Sequence, residues 1–172
     1  MRHLLYPSKT SESTYAIPFE DLYKKGYRGV IFDIDNTLVP HGAPADERAV
    51  LFFDMLHRIG YDTMLLSNNK ESRVSSFADA VNSKYIYKAG KPLKKGYIRA
   101  MERMGTEPSN TLFVGDQIFT DVWGANRAGI YTYLVEQIDP KEEIQIVIKR
   151  RLEAVVLLFY KFHLFRHRKK NK

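Results

Sequence analysis

The hydrophobic and polar positions of the chain form two alternating kinds of segment. Short, nearly continuous apolar runs have the pattern of strands buried on both faces, and the stretches between them carry apolar residues at helical spacing. The predicted strands cover residues 29–34, 61–67, 85–87, 111–116 and 131–135, and the predicted helices cover residues 18–25, 44–59, 71–81, 92–105 and 119–128. This alternation predicts an α/β fold, a three-layer α/β/α sandwich with a mostly parallel sheet.

The C-terminal segment has its own helix signal. Asp139 is a predicted N-cap, Pro140 follows at the first helical position, and two glutamates lie in the first turn. Residues 152–165 contain eleven apolar or aromatic side chains out of fourteen, a run shorter than the ~20 residues that a bilayer requires. This amphipathic helix could pack on the core, bind a partner or lie in a membrane interface. We therefore divide the chain into an α/β domain, residues 1–139, and a basic C-terminal helix and tail, residues 140–172.

Composition narrows the class of protein. With 172 residues, of which 44% are hydrophobic and 13% aromatic, the chain is suited to a folded core rather than to disorder. The absence of cysteine excludes disulfides, thiolate metal sites and a cysteine nucleophile. The first residues hold only a two-leucine apolar patch, which is shorter than the ~7 to 15 apolar residues of a secretory signal. We expect a cytoplasmic protein.

The net charge of +7 is concentrated in the tail. Residues 141–172 contain ten Lys or Arg and three Glu, whereas the first 140 residues hold 17 basic and 17 acidic side chains. A basic excess confined to one terminal segment predicts an anionic partner, either nucleic acid or a membrane surface. A solvated basic end that only keeps the protein soluble is the alternative. The clustered Phe and Leu of the tail favour peripheral binding to a membrane over binding to nucleic acid.

Polar side chains that suit phosphate chemistry follow the predicted strands. They are Asp33 and Asp35 after the first strand, Ser67, Asn68 and Asn69 after the second, Lys91 after the third, and Asp116 and Asp121 after the fourth. Because the carboxyl ends of parallel strands meet at one edge of the sheet, we expect these residues to share one crevice. Carboxylates suit a hard cation, a hydroxyl and an ammonium suit an anion, and one carboxylate remains as a nucleophile. The set predicts phosphoryl transfer through an aspartyl-phosphate.

Four segments carry a resemblance to a known family. The sequences DIDNTLV (33–39), LLSNN (65–69), AGKP (89–92) and VGDQIFTD (114–121) resemble, in order, the four motifs of the haloacid dehalogenase superfamily. The resemblance implies a Rossmann-like fold. It also implies that Asp33 is the nucleophile and that Asp35 is the general acid, which then acts as a base on water. Mg²⁺ would be bound by Asp33, Asp116 and the main-chain carbonyl of Asp35, and Asp121 would ligate through water or hold Lys91.

The same resemblance assigns the phosphate-binding residues. Ser67 and Lys91 would hold the phosphoryl oxygens, and Asn68 would supply a backbone donor. Each position also has an ordinary structural interpretation: Ser67 as a helix cap, Lys91 as a surface lysine, and Asp121 as part of a helix N-terminus. The occurrence of all of them in order favours the catalytic interpretation.

The spacing of the motifs leaves little room for a cap domain. Only 31 residues separate Asp35 from Ser67, and 23 separate Ser67 from Lys91, and predicted helices and strands use both intervals. We therefore predict a capless (C0) member of the superfamily. Its site would be open, which favours phosphates that are displayed on something large.

Longer stretches resemble the YqeG family of subfamily IIIA phosphatases, which is related to the phosphatidylglycerophosphatases. The stretches that carry this resemblance are YKKGYRGVIFDIDNTLVP, KAGKPLKKGYIRAM and FVGDQIFTDVWGANRAGIYTYLV. The resemblance implies phosphatidylglycerophosphate as the substrate. Two positions depart from the pattern: Gly90, where a basic residue is common in that family, and Trp123, where a small aliphatic residue is usual.

Two other functions stay open at this stage. One is a phosphatase that acts on a nucleic-acid end or a phosphoprotein, in which case the tail would contact a polyanion and binding would depend strongly on salt. The other is a non-catalytic module of the same fold associated with the ribosome or RNA, against which the intact pair Asp33 and Asp35 argues. A Mg²⁺-dependent lipid-phosphate phosphatase is the leading expectation.

Overall fold

In this computed structural model, which describes residues 3–139 and 153–160, six parallel strands form one sheet. The strands are β1 (Lys9–Ser11), β2 (Gly29–Phe32), β3 (Asp62–Leu66), β4 (Lys84–Ile86), β5 (Thr111–Gly115) and β6 (Tyr131–Val135). The helices are α1 (Phe19–Lys24), α2 (Glu47–Ile59), α3 (Glu71–Ala80), α4 (Lys94–Met104) and α5 (Trp123–Arg127). The strand order is β1-β6-β5-β2-β3-β4, which places β2 and β5 at the centre.

Helices cover both faces of the sheet. On one face, Phe32 of β2 packs among aromatic and aliphatic side chains of α1, α2 and α3, including Phe19 and Phe53. On the other face, Phe113 of β5 contacts Tyr97 of α4. All residues of β2 and β5 are buried, which is why their sequences read as continuous apolar runs. The predicted three-layer sandwich is confirmed.

Strand β1 was not expected from the sequence. It consists of three polar residues, pairs only with β6 and lies at the edge of the sheet. Its position depends on main-chain pairing, so its side chains show no apolar pattern that could reveal it. The other five strands begin and end within two residues of the predicted bounds, and α2 begins at Glu47 rather than residue 44, because Asp46 is its N-cap.

The helix predicted over residues 119–128 is not a single α-helix. A π-helical turn, Ile118–Val122, precedes α5. The main-chain oxygen of Gln117 accepts hydrogen bonds from the amides of both Asp121 (3.0 Å) and Val122 (3.2 Å). The Asp121 carboxylate in turn accepts the Gln117 amide at 3.0 Å. Such wider turns are frequent at functional sites, and this one directs Asp121 inward.

No cap domain interrupts the fold between β2 and β4, all of which the structure describes. A loop and α2 connect β2 to β3, and α3 connects β3 to β4. The carboxyl ends of the central strands are therefore not covered by an inserted domain, as the spacing predicts.

Part of the C-terminal segment packs on the α/β body. Residues 153–160 are helical, and Val156 and Leu157 pack against a small cluster formed by Ile118, Val122 and Leu134. Val155, Leu158 and Phe159 of the same helix are exposed. The predicted helix start at Pro140 and all ten Lys and Arg residues of the C-terminal segment lie outside the described residues. The division of the chain at residue 139 stays a prediction. Among the described helices, none is long and apolar enough to cross a membrane.

Candidate active site

The polar residues that follow β2, β3, β4 and β5 meet in one crevice, as predicted. Asp33, Ser67, Lys91, Asp116 and Asp121 are all buried. The open part of the crevice has a volume of about 270 Å³, and its lining includes Asp33, Asp35, Ser67, Asn68, Lys91 and Thr120. Every residue that the sequence analysis selected therefore lies at or directly behind this crevice.

Three carboxylates form a tight acidic cluster at the floor of the crevice. One oxygen each of Asp33, Asp116 and Asp121 lies within 4.8 Å of the others. Burial, opposed by the positive charge of Lys91 and reinforced by Asp121, raises the pKa of Asp33 to about 7. Burial, with repulsion from Asp121 and Asp33, also raises the pKa of Asp116 well above its usual value. Carboxylate oxygens at this spacing suit a hard divalent cation, which would remove the repulsion.

Lys91 is the cation within this cluster. Its Nζ forms ion pairs with Asp33 and, at 2.8 Å, with Asp121. Burial lowers the pKa of Lys91, but the attraction of Asp121 and Asp33 outweighs burial and raises the pKa overall. Lys91 therefore stays an ammonium at neutral pH, so the interpretation of it as a surface lysine is wrong.

Asn68 positions Lys91 through its side chain. The Asn68 Oδ1 accepts the Lys91 amide at 2.8 Å, and the Nδ2 donates to the Lys91 carbonyl at 3.2 Å. The family resemblance implies only a backbone donor from Asn68, so these side-chain contacts are an addition to its predicted role. The neighbouring Ser67 is not the N-cap of α3, which is Lys70. The Ser67 hydroxyl accepts the Asn69 amide at 3.2 Å and lines the crevice.

The carboxylate of Asp35 lies outside the acidic cluster and has its own donors. It accepts hydrogen bonds from the Gly42 amide at 2.8 Å, Asn69 Nδ2 at 2.6 Å and Arg73 Nη2 at 3.0 Å. The guanidinium of Arg73 also lies over the Phe77 ring, 5.5 Å from its centre. Gly42 and Arg73 were missed by the sequence analysis because nothing in the pattern links a loop amide or a helix surface residue to Asp35.

Two further side chains orient Asp116. Thr37 Oγ1 donates to one carboxylate oxygen at 3.2 Å, and Gln137 Nε2 donates to the other at 2.6 Å. Thr37 lies in the first motif, so its position in the sequence was a usable signal. Gln137 follows β6 and carries no such signal. Both hydrogen bonds hold the carboxylate toward Asp33 and Asp121.

Gly115 has no side chain, and the side chain of Asp121 occupies the space that a Cβ at position 115 would fill. A Cβ at position 115 would lie 2.6 Å from Asp121 Oδ2 and 2.7 Å from its Cγ. We expect Gly115→Ala to displace Asp121 and lower kcat/KM about a hundredfold, with a loss of about 1–3 kcal/mol in the free energy of unfolding. Gly26→Ala is the control, because Gly26 has a φ of +100° and open space around it. It should lose stability without losing activity, and a Gly115→Ala enzyme with normal activity would contradict the close packing.

Several known proteins are similar to this chain. A family model described as haloacid dehalogenase-like hydrolase matches residues 43–129. The chain is 32% identical over 158 residues to the probable phosphatase YqeG of Bacillus subtilis, covering 91% of this chain and 92% of that protein. The chain belongs to the haloacid dehalogenase-like hydrolase family. It is a phosphatase of that family.

Three further proteins are similar to this haloacid dehalogenase-like phosphatase. Phosphatidylglycerophosphate phosphatase 1 of Arabidopsis thaliana is 30% identical over 175 residues, which cover 91% of this chain but 48% of the plant protein. A hypothetical protein from Xanthomonas campestris superposes with a TM-score of 0.54 at 13% identity, covering 76% of this chain and 72% of the other. The cobalt-bound deoxy-D-mannose-octulosonate 8-phosphate phosphatase of Haemophilus influenzae gives 0.53 at 16% identity, covering 64% and 69%. At these identities, the two structures confirm the fold.

Proposed function

We propose that the protein is a Mg²⁺-dependent phosphomonoesterase that acts through an aspartyl-phosphate. The observation that carries the proposal is the separation of Asp33 from Asp35. Asp33 lies in the acidic cluster beside Lys91, whereas Asp35 is held outside it by Gly42, Asn69 and Arg73. The two carboxylates therefore have different surroundings, so they can take different roles in the reaction.

The two half-reactions use these carboxylates in turn. An oxygen of Asp33 attacks phosphorus, the bond to the ester oxygen breaks, and Asp35 donates a proton to the leaving alcohol. A water molecule then gives a proton to Asp35 and attacks the same phosphorus, which returns Asp33 as a carboxylate and releases inorganic phosphate. Lys91 and the Ser67 hydroxyl bind the phosphoryl oxygens and offset their charge.

The acidic cluster is suited to the metal ion. It presents three buried oxygen ligands within 4.8 Å of one another, and two of its members, Asp33 and Asp116, have raised pKa values. Oxygen ligands of this kind are preferred by Mg²⁺, which, when bound, supplies positive charge for the phosphoryl group. Asp33 and Asp116 would be direct ligands, with Asp121 holding Lys91 and the Asp35 carbonyl completing the protein's contribution.

Metal binding should stabilise the protein more at high pH than at low pH. The pKa of Asp33 is raised to about 7 in the metal-free fold. The stability associated with this group is therefore greatest below the unfolded pKa of about 4 and falls as the pH rises through about 7. Ionised Asp33 binds Mg²⁺ best, so we expect Mg²⁺ to raise Tm clearly at about pH 8 and much less at about pH 5. Thermal unfolding with Mg²⁺, and with NaCl at matched ionic strength, measures this; equal shifts for both salts would contradict a specific site.

We propose phosphatidylglycerophosphate as the substrate. Support comes from the 30% identity to a plant protein named as the phosphatase of that lipid, and from the absence of an inserted domain over the crevice, which suits a phosphate displayed at a surface. The test compares phosphate release from phosphatidylglycerophosphate micelles, soluble esters and 3′-phosphorylated oligonucleotides, with Asp33→Asn as the blank. Preference for the lipid supports the proposal. Preference for the oligonucleotide would instead support the nucleic-acid alternative.

The protein is further proposed to bind anionic membranes peripherally through its C-terminal segment. The seven excess positive charges of residues 141–172 and the exposed side chains of Val155 and Leu158 support this. Both features would strengthen binding to an anionic bilayer. The same phosphate-release assay, with the lipid substrate presented in anionic and in neutral vesicles, tests this proposal. A rate that does not depend on the vesicle charge would argue against membrane binding through the C-terminal segment.

A further inference from the structure

The turn Ile118–Val122 separates the crevice from a second cavity. Gln117 and Thr120 line the crevice, whereas Phe119 and Trp123 line a cavity of about 620 Å³ on the other side. The remaining lining residues that the structure describes are His3, Leu4, Leu5, Tyr6, Val156 and Phe159. None of these is a Lys, Arg, Asp or Glu, so this apolar groove suits a hydrocarbon ligand.

Both outer walls of the apolar groove are attached to the catalytic end of the molecule. Asn126 Nδ2 donates to the carbonyls of Leu4 and Tyr6, each at 2.8 Å, and fixes the N-terminal wall. Glu153 Oε1 accepts the amides of Ile118 at 3.0 Å and Phe119 at 3.4 Å, which fixes the helix 153–160. The groove is therefore built onto the same turn that carries Asp121.

The groove also offers apolar area that a ligand would bury. Phe159 is 62% exposed and Leu4 is 47% exposed, although both line it. Each methylene moved from water into apolar contact changes binding by about fourfold. A chain of several methylenes would therefore gain substantial affinity here.

We propose that the apolar groove binds the hydrocarbon chains of the lipid phosphomonoester whose phosphate occupies the crevice. This inference rests on the proposed function and deepens it. The two surfaces are continuous through one turn: Phe119 and Thr120 are adjacent residues, with Cα atoms about 3.8 Å apart, and they face the groove and the crevice respectively. A phosphate in the crevice with a polar linker crossing this turn places its hydrocarbon part in the groove.

The chain provides its own probe of groove occupancy. Trp123 lines the groove and is the only tryptophan in the sequence. A dodecylphosphonate with bromine atoms in mid-chain cannot be hydrolysed, and bromine quenches indole fluorescence on contact. Added to the full-length protein with Mg²⁺, it should remove most of the Trp123 emission, whereas the unbrominated compound should not. Its binding is measured independently as competitive inhibition of aryl phosphate hydrolysis.

Matched variants assign the effect to the groove. Phe159→Ser should raise the concentration for half-maximal quenching at least about fivefold, because it removes apolar contact. Leu51→Ser, at an exposed position on α2 (56%) outside the groove, should leave that concentration unchanged.

Several results would overturn the inference. The first is inhibition without quenching, and the second is the absence of both inhibition and quenching. The third is quenching that appears only after truncation at Tyr160, which would mean that the protein's own C-terminal residues fill the groove. Quenching in the wild type together with no hydrolysis of phosphatidylglycerophosphate would support the groove while refuting that particular substrate. Inhibition without quenching would refute the groove while leaving the proposed phosphatase site intact.

Discussion

Replacing Asp33 with Asn should lower phosphate release at least about a thousandfold, because a carboxamide cannot act as the attacking oxygen and no aspartyl-phosphate can form. The side chain keeps its shape, so the fold should be retained. The substitution also removes one of the crowded buried carboxylates whose pKa values are raised. We therefore expect the Tm of the metal-free variant to equal or exceed that of the metal-free wild type.

The measurements are steady-state phosphate release and thermal unfolding on the same preparations. Asp54→Asn is the matched control, since Asp54 is exposed on α2, and it should leave both quantities unchanged. Residual turnover of Asp33→Asn above about one tenth of the wild-type rate would rule out Asp33 as the nucleophile.

Replacing Lys91 with Met should lower the free energy of unfolding more than Gly115→Ala or Asp33→Asn does. It should also lower the rate of phosphate release. Lys91 is the buried partner of both Asp33 and Asp121, and removing it leaves two carboxylates facing each other without compensation. Breaking a buried ion pair in this way costs about 3–5 kcal/mol. The loss should be greatest near neutral pH and smaller at acid pH, where Asp33 binds a proton in the fold.

Urea unfolding at several pH values measures this effect, with phosphate release as the second readout. Lys95→Met is the matched control, because Lys95 is exposed on α4, and it should change neither. A Lys91→Met protein that unfolds at the wild-type urea concentration would show that the ion pairs contribute little. Partial recovery of stability on adding Mg²⁺ is expected, because the metal supplies the missing positive charge to the cluster.

The sequence predicted the central part of the fold well. Strands β2 and β5 are buried on both faces, so each must be apolar throughout, and that requirement is visible in the residue pattern. The edge strand β1 and the π-helical turn Ile118–Val122 were not visible. Strand β1 is held by main-chain hydrogen bonds to β6, and the π-helical turn by main-chain bonds that span one residue more than those of an α-helix. Side chains carry little trace of either kind of bond.

The sequence also predicted the candidate reacting groups. The carboxylates, the serine and the lysine at successive strand ends follow from the order of motifs, and a parallel sheet must bring these ends to one edge. The chemistry of phosphoryl transfer was thus readable before the structure. The four motifs by themselves do not specify the substrate, which is implied only by the longer resemblance and stays a proposal.

Only the tertiary structure decided how those groups are held. Arg73 reaches Asp35 across 38 positions, Gln137 reaches Asp116 across 21, and Glu153 reaches Ile118 across 35. A hydrogen bond requires only that two atoms meet at the correct distance and angle, so it imposes no spacing on the sequence. Reacting groups are restricted to a few residue types by their chemistry, whereas supporting groups can come from any element that packs beside them. That difference is why the sequence determined the class of reaction and the packed structure determined the shape of the site.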